Sequence, residues 1–347
     1  MRILHTILSS EYAGSEAYCC QLAALQAHAG DDVTVLIRDG AAAYVARVRR
    51  EAAPAHVVCL PKFWPSQLEG WAARAILRRL APRIVHAHLG RAVERIGPVV
   101  QRAGIPLIAS LHLDWRRSYA RCDGIICIAA WQKPAIPSDY AGLVEVVWNW
   151  APPAPAAGPE PEGTPTGGPA EDGVPMPVRF LSVGRLVPNK GMDVLVRAFR
   201  QAFPAGDEPV RLAIAGDGPD RRLVAEAGAG DPRIAMLGYV DGAAALYRNA
   251  DVYVSAARYE PFGLTILEAM QAGCRLVCTE TEGPHEFLRG YDVAWAKPGE
   301  VESLAAALRA AAVAGRARAG WDLSPFDPGT AVARIRAFYE RCLTQTV

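Results

Sequence analysis

The sequence predicts an α/β protein built from two doubly wound parallel sheets. Short apolar runs alternate with helical patterns along the chain, which is typical of parallel strands joined by crossover helices. The alternation occurs twice, before and after residues 151–177, where Pro and Gly are abundant and large apolar residues are almost absent. With 347 residues, 51% of them hydrophobic, the chain is long enough for two domains, each with its own core.

The composition changes divide the chain into four segments. We expect a doubly wound domain over 1–150, a linker or surface loop over 151–177, a second doubly wound domain over 178–325 and a C-terminal helix over 326–347. Apolar residues recur at helical spacing in the last segment, so this helix would cap its own domain or cross to the first one.

Individual elements follow from the same patterns. Residues 2–8 are predicted to form a strand and residues 15–29 a helix, with Ser15 as its N-cap and Gly30 as its stop. The further strands predicted in the first domain cover residues 33–37, 56–60, 84–89, 107–112, 124–128 and 144–149. Those predicted in the second domain cover residues 178–183, 210–215, 234–237, 252–255, 275–278 and 293–296.

Charge and hydropathy narrow the class of partner. Residues 1–150 contain 17 Lys and Arg against 12 Asp and Glu, and the whole chain has a net charge of +1. This mild asymmetry argues against a nucleic acid partner. The longest apolar run is too short to span a membrane, and the first ten residues lack the pattern of a signal peptide. We therefore expect a cytoplasmic protein.

Cysteines and histidines could form a metal site. The eight cysteines contain no C-x-x-C pair and lie mostly in apolar runs, which favours buried, reduced thiols. His86 and His88 end a strand, where alternation places both imidazoles on one side. A zinc pair is conceivable, but no third ligand lies nearby in sequence, so a buried, hydrogen-bonded pair is favoured. His112 follows another strand; it could hold a sugar hydroxyl or steady a developing charge, or it could be structural.

The stretch 260–268, with sequence EPFGLTILE, predicts an anion site. It follows an apolar strand and opens a helical pattern, which we expect to begin near Pro261. The N–H groups of residues 263–265 would have no acceptor within the helix and would lie at its positive end, an arrangement that favours phosphate. Glu260 and Glu268 flank this site about two helical turns apart.

A basic turn follows the first strand of the second domain. Arg185 and Lys190 lie between Gly184 and Gly191, where one forked donor and one point charge suit a diphosphate. A solvated turn with two cations is the alternative.

Further glycines end strands in both halves. Gly216 ends the next strand of the second domain, and the backbone of Tyr239 and Val240 could contact a nucleobase. Gly14 lies at the first strand-to-helix turn, where it could approach a phosphate or simply begin an ordinary helix.

Residues 67–80 form a basic, amphipathic helical pattern. Trp71, Arg74 and Arg78 recur at helical spacing, as in helices that touch anionic lipid. A surface helix packed through its Leu and Ile residues is the alternative.

Taken together, these motifs resemble the retaining glycosyltransferases of family 4, which have the GT-B fold, over nearly the whole chain. In the second half the resemblance rests on Gly184-Arg185, Lys190-Gly191, Gly216-Asp-Gly-Pro219, the run 250–255 and the Glu-x7-Glu element 260–268. In the first half it rests on Gly14-Ser-Glu16, Val85-His-Ala-His88, Leu111-His112 and Val147-Trp-Asn149. The first loop departs from the family pattern with Ala13-Gly14 in place of two glycines, and Ala130 replaces a common serine.

The resemblance implies two Rossmann-like domains that face each other across a cleft, with the donor held by the second and the acceptor by the first. It implies a catalytic set of His112, Arg185, Lys190 and Glu260. The nucleotide-sugar-binding residues that it implies are Gly14, Gly184, Arg185, Lys190, Gly216, Tyr239, Val240, Glu260, Phe262, Gly263, Leu264, Thr265 and Glu268. Among these, Glu260 would bind a hydroxyl of the donor sugar and Glu268 the ribose hydroxyls.

The implied activity is that of a retaining hexosyltransferase that uses a UDP-, GDP- or ADP-sugar. Its acceptor would be a saccharide or glycolipid of lipopolysaccharide or surface polysaccharide synthesis, reached at the inner face of the membrane through contacts of the N-terminal domain. The sequence has no Asp-x-Asp motif, and two cations could neutralise the leaving diphosphate, so no metal or other cofactor is expected. A GT-B epimerase or phosphorylase and a non-catalytic nucleotide-sugar-binding subunit are the alternatives.

Overall fold

The computed structural model describes residues 1–9, 11–61, 67–152, 176–204 and 209–345, with the side chains of 67 and 68 excepted. Two compact units divide the chain. Met1–Asn149 and Phe326–Val347 form the N-terminal unit, and Trp150–Pro325 form the C-terminal unit. Most of the expected linker, 151–177, lies outside the described residues. Each unit contains one fully parallel sheet, so the predicted fold class is confirmed.

The N-terminal unit is built around seven parallel strands in the order β3-β2-β1-β4-β5-β6-β7. The strands are β1 (Arg2–Ile7), β2 (Asp32–Arg38), β3 (His56–Leu60), β4 (Ile84–His88), β5 (Leu107–Leu111), β6 (Gly124–Cys127) and β7 (Leu143–Val146). The helices that connect the first strands are α1 (Gly14–His28), α2 (Ala42–Glu51), α3 (Gln67–Leu80) and α4 (Gly90–Arg102). Short 3-10 turns at Arg117–Arg121 and Ala130–Ala135 connect the last three strands.

The C-terminal unit repeats this design with six strands in the order β10-β9-β8-β11-β12-β13. The strands are β8 (Val178–Val183), β9 (Val210–Ala215), β10 (Ile234–Gly238), β11 (Val252–Ser255), β12 (Arg275–Thr279) and β13 (Val293–Ala296). The helices are α5 (Met192–Ala202), α6 (Arg221–Gly228), α7 (Ala244–Asn249), α8 (Leu264–Gln271), α9 (Glu282–Phe287) and α10 (Val301–Val313).

Continuous apolar runs explain why the central strands lie inside. In β1, β4 and β5 nearly every side chain is buried on both faces, as expected for parallel strands covered by helices on each side. The eight cysteines are free, and all but the half-buried Cys59 are buried, as the apolar setting of these residues predicts. Among the described residues, no helix combines the length and the apolarity needed to cross a membrane.

The C-terminal helix, Pro328–Gln345, packs within the N-terminal unit. Phe338 and Cys342 lie against Gly124 of β6, where a Cβ atom would come within 2.8 Å of the Phe338 ring. Arg334 and Arg341 both donate hydrogen bonds to Glu145 of β7, at 2.6 and 2.7 Å. The last helix is thus attached to the far edge of the first sheet.

The start of α1 differs from the sequence prediction. The N-cap is Ala13, not Ser15, and the carboxylate of Glu16 accepts the N–H of Ala13 at 2.9 Å. The hydroxyl of Ser15 donates to the same carboxylate at 3.0 Å. The helix can begin earlier than predicted because the glutamate satisfies the backbone N–H group at its start.

Candidate functional site

Two candidate sites lie where the strand order of a sheet reverses. The order turns between β1 and β4 in the first sheet and between β8 and β11 in the second. At such a switch point, the loops that leave the carboxyl ends of the two strands diverge, and ligands of open parallel sheets bind in the resulting crevice. The residues that end these four strands are therefore candidates for function.

Four histidines meet at this end of the first sheet, and we call them the histidine cluster. His86 and His88 lie on β4, His112 follows β5, and His5 lies on β1. The parallel register pairs His5 with His86, and the rings of His86 and His88 are 4.4 Å apart. The two imidazoles of β4 thus lie on one side of the sheet, as the alternation predicts.

Three members of the cluster form a hydrogen-bonded chain. Nδ1 of His5 lies 3.0 Å from Nε2 of His88, and Nδ1 of His88 lies 3.2 Å from Nε2 of His112. At its inner end, Nε2 of His5 lies 2.7 Å from Oε1 of Gln26 on α1. The chain therefore runs from a buried amide to the histidine that follows β5.

His86 lies outside this chain of hydrogen bonds and has partners on β5 and on the C-terminal helix. Nδ1 of His86 lies 2.5 Å from the hydroxyl of Tyr339 on that helix, and Nε2 of His86 lies 2.8 Å from the hydroxyl of Ser110. The amide nitrogen of Gln26 also donates to Tyr339, at 3.5 Å. Each ring is thus fixed by protein partners.

Burial keeps the histidine cluster uncharged near neutral pH. Because the low-dielectric surroundings disfavour the imidazolium form, burial lowers the pKa of His5 to about 4 and that of His112 to about 3. Burial, with a smaller effect of neighbouring imidazoles, places the pKa values of His86 and His88 well below the usual range. The cluster can therefore accept or donate hydrogen bonds without carrying charge.

The cluster also supplies the third metal ligand that the neighbouring sequence lacks. His5, His86 and His88 can each contribute one ring nitrogen to a metal site, and these three nitrogens lie within 4.8 Å of one another. In the part of the chain that the structure describes, no other group of His, Cys, Asp or Glu residues has this arrangement. Three imidazoles are a zinc-type donor set. Both ring nitrogens of each residue already have a protein partner, so their hydrogen-bonding capacity is satisfied without an ion.

In the C-terminal unit, Lys190 and Glu260 form an ion pair with Nζ 2.5 Å from Oε2. Lys190 ends the 3-10 turn Pro188–Lys190, which follows β8, and Glu260 lies in the loop that follows β11. The side chain of Lys190 is 30% exposed and that of Glu260 is 10% exposed. The pair thus joins the two loops of the switch point and is open to solvent on the side of the cation.

Arg258 holds these two loops together. Its guanidinium donates to both carboxylate oxygens of Asp193, each at 2.8 Å, and to the carbonyl of Pro188 at 2.7 Å. Its backbone N–H donates to the carbonyl of Asn189 at 2.7 Å. The bonds from Arg258 hold the pKa of Asp193 below its usual range. This forked contact fixes the turn of Lys190 beside the loop of Glu260.

Helix α8 begins at Leu264, so the expectation of a start near Pro261 is wrong. Gly263 is the N-cap and has a φ of 107°, a backbone angle that residues with a Cβ atom rarely adopt. Because this left-handed residue ends the loop, Glu260 lies ahead of the helix, whereas Glu268 lies within it. The N–H groups of 263–265 still form the helix start and have no intrahelical acceptor.

The glycine loops of three strands lie side by side. A Cβ atom on Gly216 would come within 1.8 Å of the carbonyl oxygen of Gly184, so no other residue fits without a backbone shift. The N–H of Gly216 donates to the carbonyl of Gly238 at 2.7 Å. The structure thus brings together the glycine at the start of the basic turn and the loop of Tyr239 and Val240.

The remaining predicted residues occupy different environments. Glu268 accepts a hydrogen bond from the hydroxyl of Tyr247 at 2.6 Å; burial raises the pKa of Glu268, and this bond partly offsets the shift. The hydroxyl of Thr265 accepts from Tyr253 at 2.7 Å. Phe262 is buried and stacks on Phe287, so its side chain belongs to the core.

Surface positions complete the predicted set. Arg185 is exposed, Val240 is half-buried and Tyr239 is 61% exposed. Gly14 is the first residue of α1. His112 retains 9% exposure, whereas the other three members of the histidine cluster retain none.

The structure is similar to solved structures along almost its entire length. It matches HepE of Anabaena, which was solved in complex with UDP and glucose, with a TM-score of 0.75 at 19% sequence identity. The match covers 98% of this chain and 100% of the other. At such low identity the likeness shows the fold, which is GT-B.

Curated relatives match over shorter stretches. Phosphatidyl-myo-inositol mannosyltransferase of Mycobacterium leprae is 38% identical over 125 residues, which are 35% of this chain and 33% of the relative. The lipopolysaccharide core biosynthesis glycosyltransferase LpsE of Rhizobium meliloti is 32% identical over 133 residues, which are 37% of each protein. The chain thus spans about a third of the length of these curated relatives.

Family profiles match two consecutive parts of the chain. The family described as Glycosyltransferase Family 4 matches residues 12–151, and the family described as Glycosyl transferases group 1 matches residues 177–312. The first match falls in the unit of the histidine cluster and the second in the unit of the Lys190–Glu260 pair. The chain belongs to the group 1 glycosyltransferases of family 4.

Proposed function

We propose that the protein is a retaining glycosyltransferase that moves a sugar from a nucleoside diphosphate sugar to a saccharide or glycolipid. The observation that carries the proposal is the Lys190–Glu260 pair at the switch point of the second sheet, just ahead of the start of α8. A cation and a helix start together suit a diphosphate, and a carboxylate suits sugar hydroxyls. Membership of the family supports the same reading.

In the proposed reaction, the bond between the anomeric carbon of the sugar and the diphosphate breaks, and negative charge develops on the leaving oxygen. The acceptor oxygen bonds to the same carbon, and its proton passes to the leaving phosphate. Arg185 and Lys190 would neutralise that charge, and the N–H groups of residues 263–265 would donate hydrogen bonds to it. Glu260, released from Lys190, would accept a hydrogen bond from a hydroxyl of the donor sugar. We propose that these groups suffice without a metal ion.

Other residues would position the donor and the acceptor. Glu268 would hold the ribose hydroxyls, and the backbone of Tyr239 and Val240 would contact the base. Gly184 and Gly216 would allow the backbone to approach the diphosphate closely, and Gly14 would do the same from the first loop. His112 would lie beside the transferred sugar.

The substrates of related proteins support the proposed class of substrate. A structural neighbour binds UDP and glucose, one relative is a phosphatidyl-myo-inositol mannosyltransferase and another acts in lipopolysaccharide core biosynthesis. We propose a UDP-, GDP- or ADP-sugar as donor and an acceptor in lipopolysaccharide or surface polysaccharide synthesis.

A nucleotide screen tests the proposal. Melting temperatures are measured with UDP, GDP, ADP and their sugars; a ligand at 100 times its Kd should raise the melting temperature by about 5 to 10 °C. The best donor is then incubated with candidate acceptors in EDTA, and the anomeric configuration of the product is read by NMR. Retained configuration and full activity in EDTA are the expected results.

Each other result of the screen points elsewhere. If no nucleoside diphosphate stabilises the protein, the proposal fails. Phosphate-dependent breakdown of an oligosaccharide would indicate a phosphorylase, and interconversion of two nucleotide sugars an epimerase. Binding without turnover of any sugar would indicate a non-catalytic subunit.

We also propose that α3 carries the N-terminal unit to the inner face of a membrane. Ala73 and Leu77 pack this helix into the core, while Trp71 is 76% exposed and Arg74 and Arg78 are exposed. A tryptophan beside arginines suits the boundary of an anionic bilayer. Wild type should sediment with anionic vesicles and Trp71→Ala should sediment less; equal sedimentation of the two would contradict the contact.

A further inference from the structure

The chain of hydrogen bonds from Gln26 through His5 and His88 to His112 has a direction. A carboxamide oxygen can only accept, so the Nε2–H group of His5 donates to Oε1 of Gln26, 2.7 Å away. Nδ1 of His5 then has no proton and accepts a hydrogen bond from the Nε2–H group of His88 at 3.0 Å. By the same argument, Nδ1 of His88 accepts a hydrogen bond from the Nε2–H group of His112 at 3.2 Å. All three imidazoles are therefore Nε2–H tautomers.

The amide of Gln26 is held in this orientation from its other side. Its Nε2 atom donates to the hydroxyl of Tyr339 at 3.5 Å, and that hydroxyl lies 2.5 Å from Nδ1 of His86. Gln26 and Tyr339 have no exposed surface, so water does not compete for these bonds.

The outer end of the chain is open. Within the described ranges, Nδ1 of His112 has no protein hydrogen-bond partner, whereas both ring nitrogens of His5 and His88 do. His112 also retains 9% exposure, and His5 and His88 retain none. If the tautomers are as above, the atom at the open end carries a lone pair and no proton.

We propose that Gln26 is a positioning residue that sets the tautomer of His112 through His5 and His88, so that Nδ1 of His112 accepts a hydrogen bond from a sugar hydroxyl. The tautomer assignment stands on the hydrogen bonds alone, and the identity of the hydroxyl rests on the proposed function. A reversed chain would place a proton on Nδ1 and present a donor to the same hydroxyl.

The proposed role of His112 is that of a neutral acceptor and not of a general base. Burial lowers its pKa to about 3, so the ring is too weakly basic to remove a proton from an alcohol near neutral pH. The ring of Tyr18 packs edge-on against that of His112, with centroids 4.8 Å apart, and limits its rotation. A fixed, uncharged acceptor selects the orientation of a hydroxyl and leaves its proton in place.

NMR of histidine tautomers tests the proposal directly. The 347-residue chain, labelled with ¹⁵N in its seven histidines, is examined by long-range ¹H–¹⁵N correlation, which distinguishes Nε2–H from Nδ1–H rings. His112→Gln assigns the signal of the outer ring by its disappearance. In wild type we expect His5, His88 and His112 as Nε2–H tautomers, with no ligand present. An Nδ1–H or protonated His112 would overturn the proposal.

Variants of the amide show whether it is the cause. Gln26→Leu removes the acceptor, so His112 should populate both tautomers, and kcat/KM should fall about tenfold because one hydrogen bond to substrate is lost in part of the molecules. Gln26→Glu keeps an oxygen acceptor and should keep the Nε2–H form. Gln101→Leu makes the same change at an exposed position of this unit and should alter neither quantity. If His112 keeps a pure Nε2–H form in folded Gln26→Leu, the positioning role is wrong.

The tautomers are measured without donor or acceptor, so this test does not depend on glycosyl transfer. If the tautomers match and no sugar is transferred, the proposed function fails and the hydrogen-bonded chain stands. If transfer occurs with His112 as an Nδ1–H ring, the chain fails and the function stands. If Gln26→Leu does not fold, the wild-type spectrum still decides the direction of the chain.

Discussion

The two units share the order of their first six strands but differ in charge at their switch points. In the N-terminal unit the strand ends carry four buried, uncharged histidines. In the C-terminal unit they carry the Lys190–Glu260 pair, which is partly open to solvent, and the Arg258–Asp193 contact. The switch point of the first sheet therefore provides uncharged hydrogen-bonding groups, and that of the second sheet provides charged groups.

This difference follows from the free-energy cost of burying charged and neutral groups at the two switch points. A charged group that is fully buried requires a partner, whereas a neutral imidazole requires only hydrogen bonds. An anionic diphosphate needs cations that can still reach it, which favours the partly exposed pair. A sugar hydroxyl needs an oriented neutral partner, which favours the buried cluster.

The largest expected effect is on the N-terminal unit in mild acid. Because folding lowers the pKa of each histidine in the cluster, the unfolded chain binds protons that the folded chain does not. Stability present above pH 6.5 is therefore lost as pH falls, by about 1.4 kcal/mol per pH unit for each histidine. Urea unfolding followed by circular dichroism between pH 7.5 and 5 measures this slope.

Two histidine variants isolate the contribution of the cluster. His86→Gln removes one titrating ring and should lose stability less steeply with falling pH. His28→Gln changes an exposed ring of the same unit and should match wild type. Equal stability of wild type at pH 7.5 and pH 5 would show that the cluster is not held neutral.

An intermediate effect is expected from Lys190→Ala in the C-terminal unit. Hydrogen bonds to charged groups contribute about 1.5 to 3 kcal/mol, so affinity for UDP should fall about 10- to 100-fold by calorimetry. The variant also leaves the buried carboxylate of Glu260 without its partner, so its melting temperature should fall. Arg222→Ala removes a cation that is 90% exposed in the same unit and should bind UDP like wild type. Unchanged UDP affinity in Lys190→Ala would contradict the role of that cation.

Much of this architecture could be predicted from the sequence. Apolar runs and helical patterns predicted all thirteen strands of the described residues to within three residues at each end, because a strand buried on both faces leaves few alternatives. The prediction was less accurate where a single residue determines where a helix begins. Glu16 moved the start of α1, and the left-handed Gly263 moved the start of α8.

The partners of the candidate site could not be predicted from local patterns. His5 joins His86 because β1 and β4 pair in parallel register, although the two are far apart in sequence. Gln26 and His5 form a hydrogen bond because α1 packs on the sheet. Tyr247 and Glu268 likewise form a hydrogen bond between two packed helices, α7 and α8. The sequence does show a histidine, His5, in the first predicted strand. Its pairing with His86 can be inferred only when the strand order is known.

The smallest expected effect is at Glu268, and it has opposite signs for stability and for binding. Glu268→Gln keeps an oxygen that accepts from Tyr247 but removes a charge whose burial raises the pKa of the carboxyl. Because the folded pKa is raised, wild type carries this penalty above that pKa and loses it as pH falls to about 4.5.

Glu268→Gln should therefore melt at a higher temperature than wild type at pH 7, and the two should converge toward pH 4.5. At pH 7 the same variant should bind UDP more weakly, because an amide accepts ribose hydroxyls less strongly than a carboxylate. Scanning calorimetry and isothermal titration measure the two quantities on one preparation. A variant that is less stable at pH 7 would show that the carboxylate is a structural ion of the free protein, whereas a more stable variant with unchanged UDP affinity would remove Glu268 from the donor site.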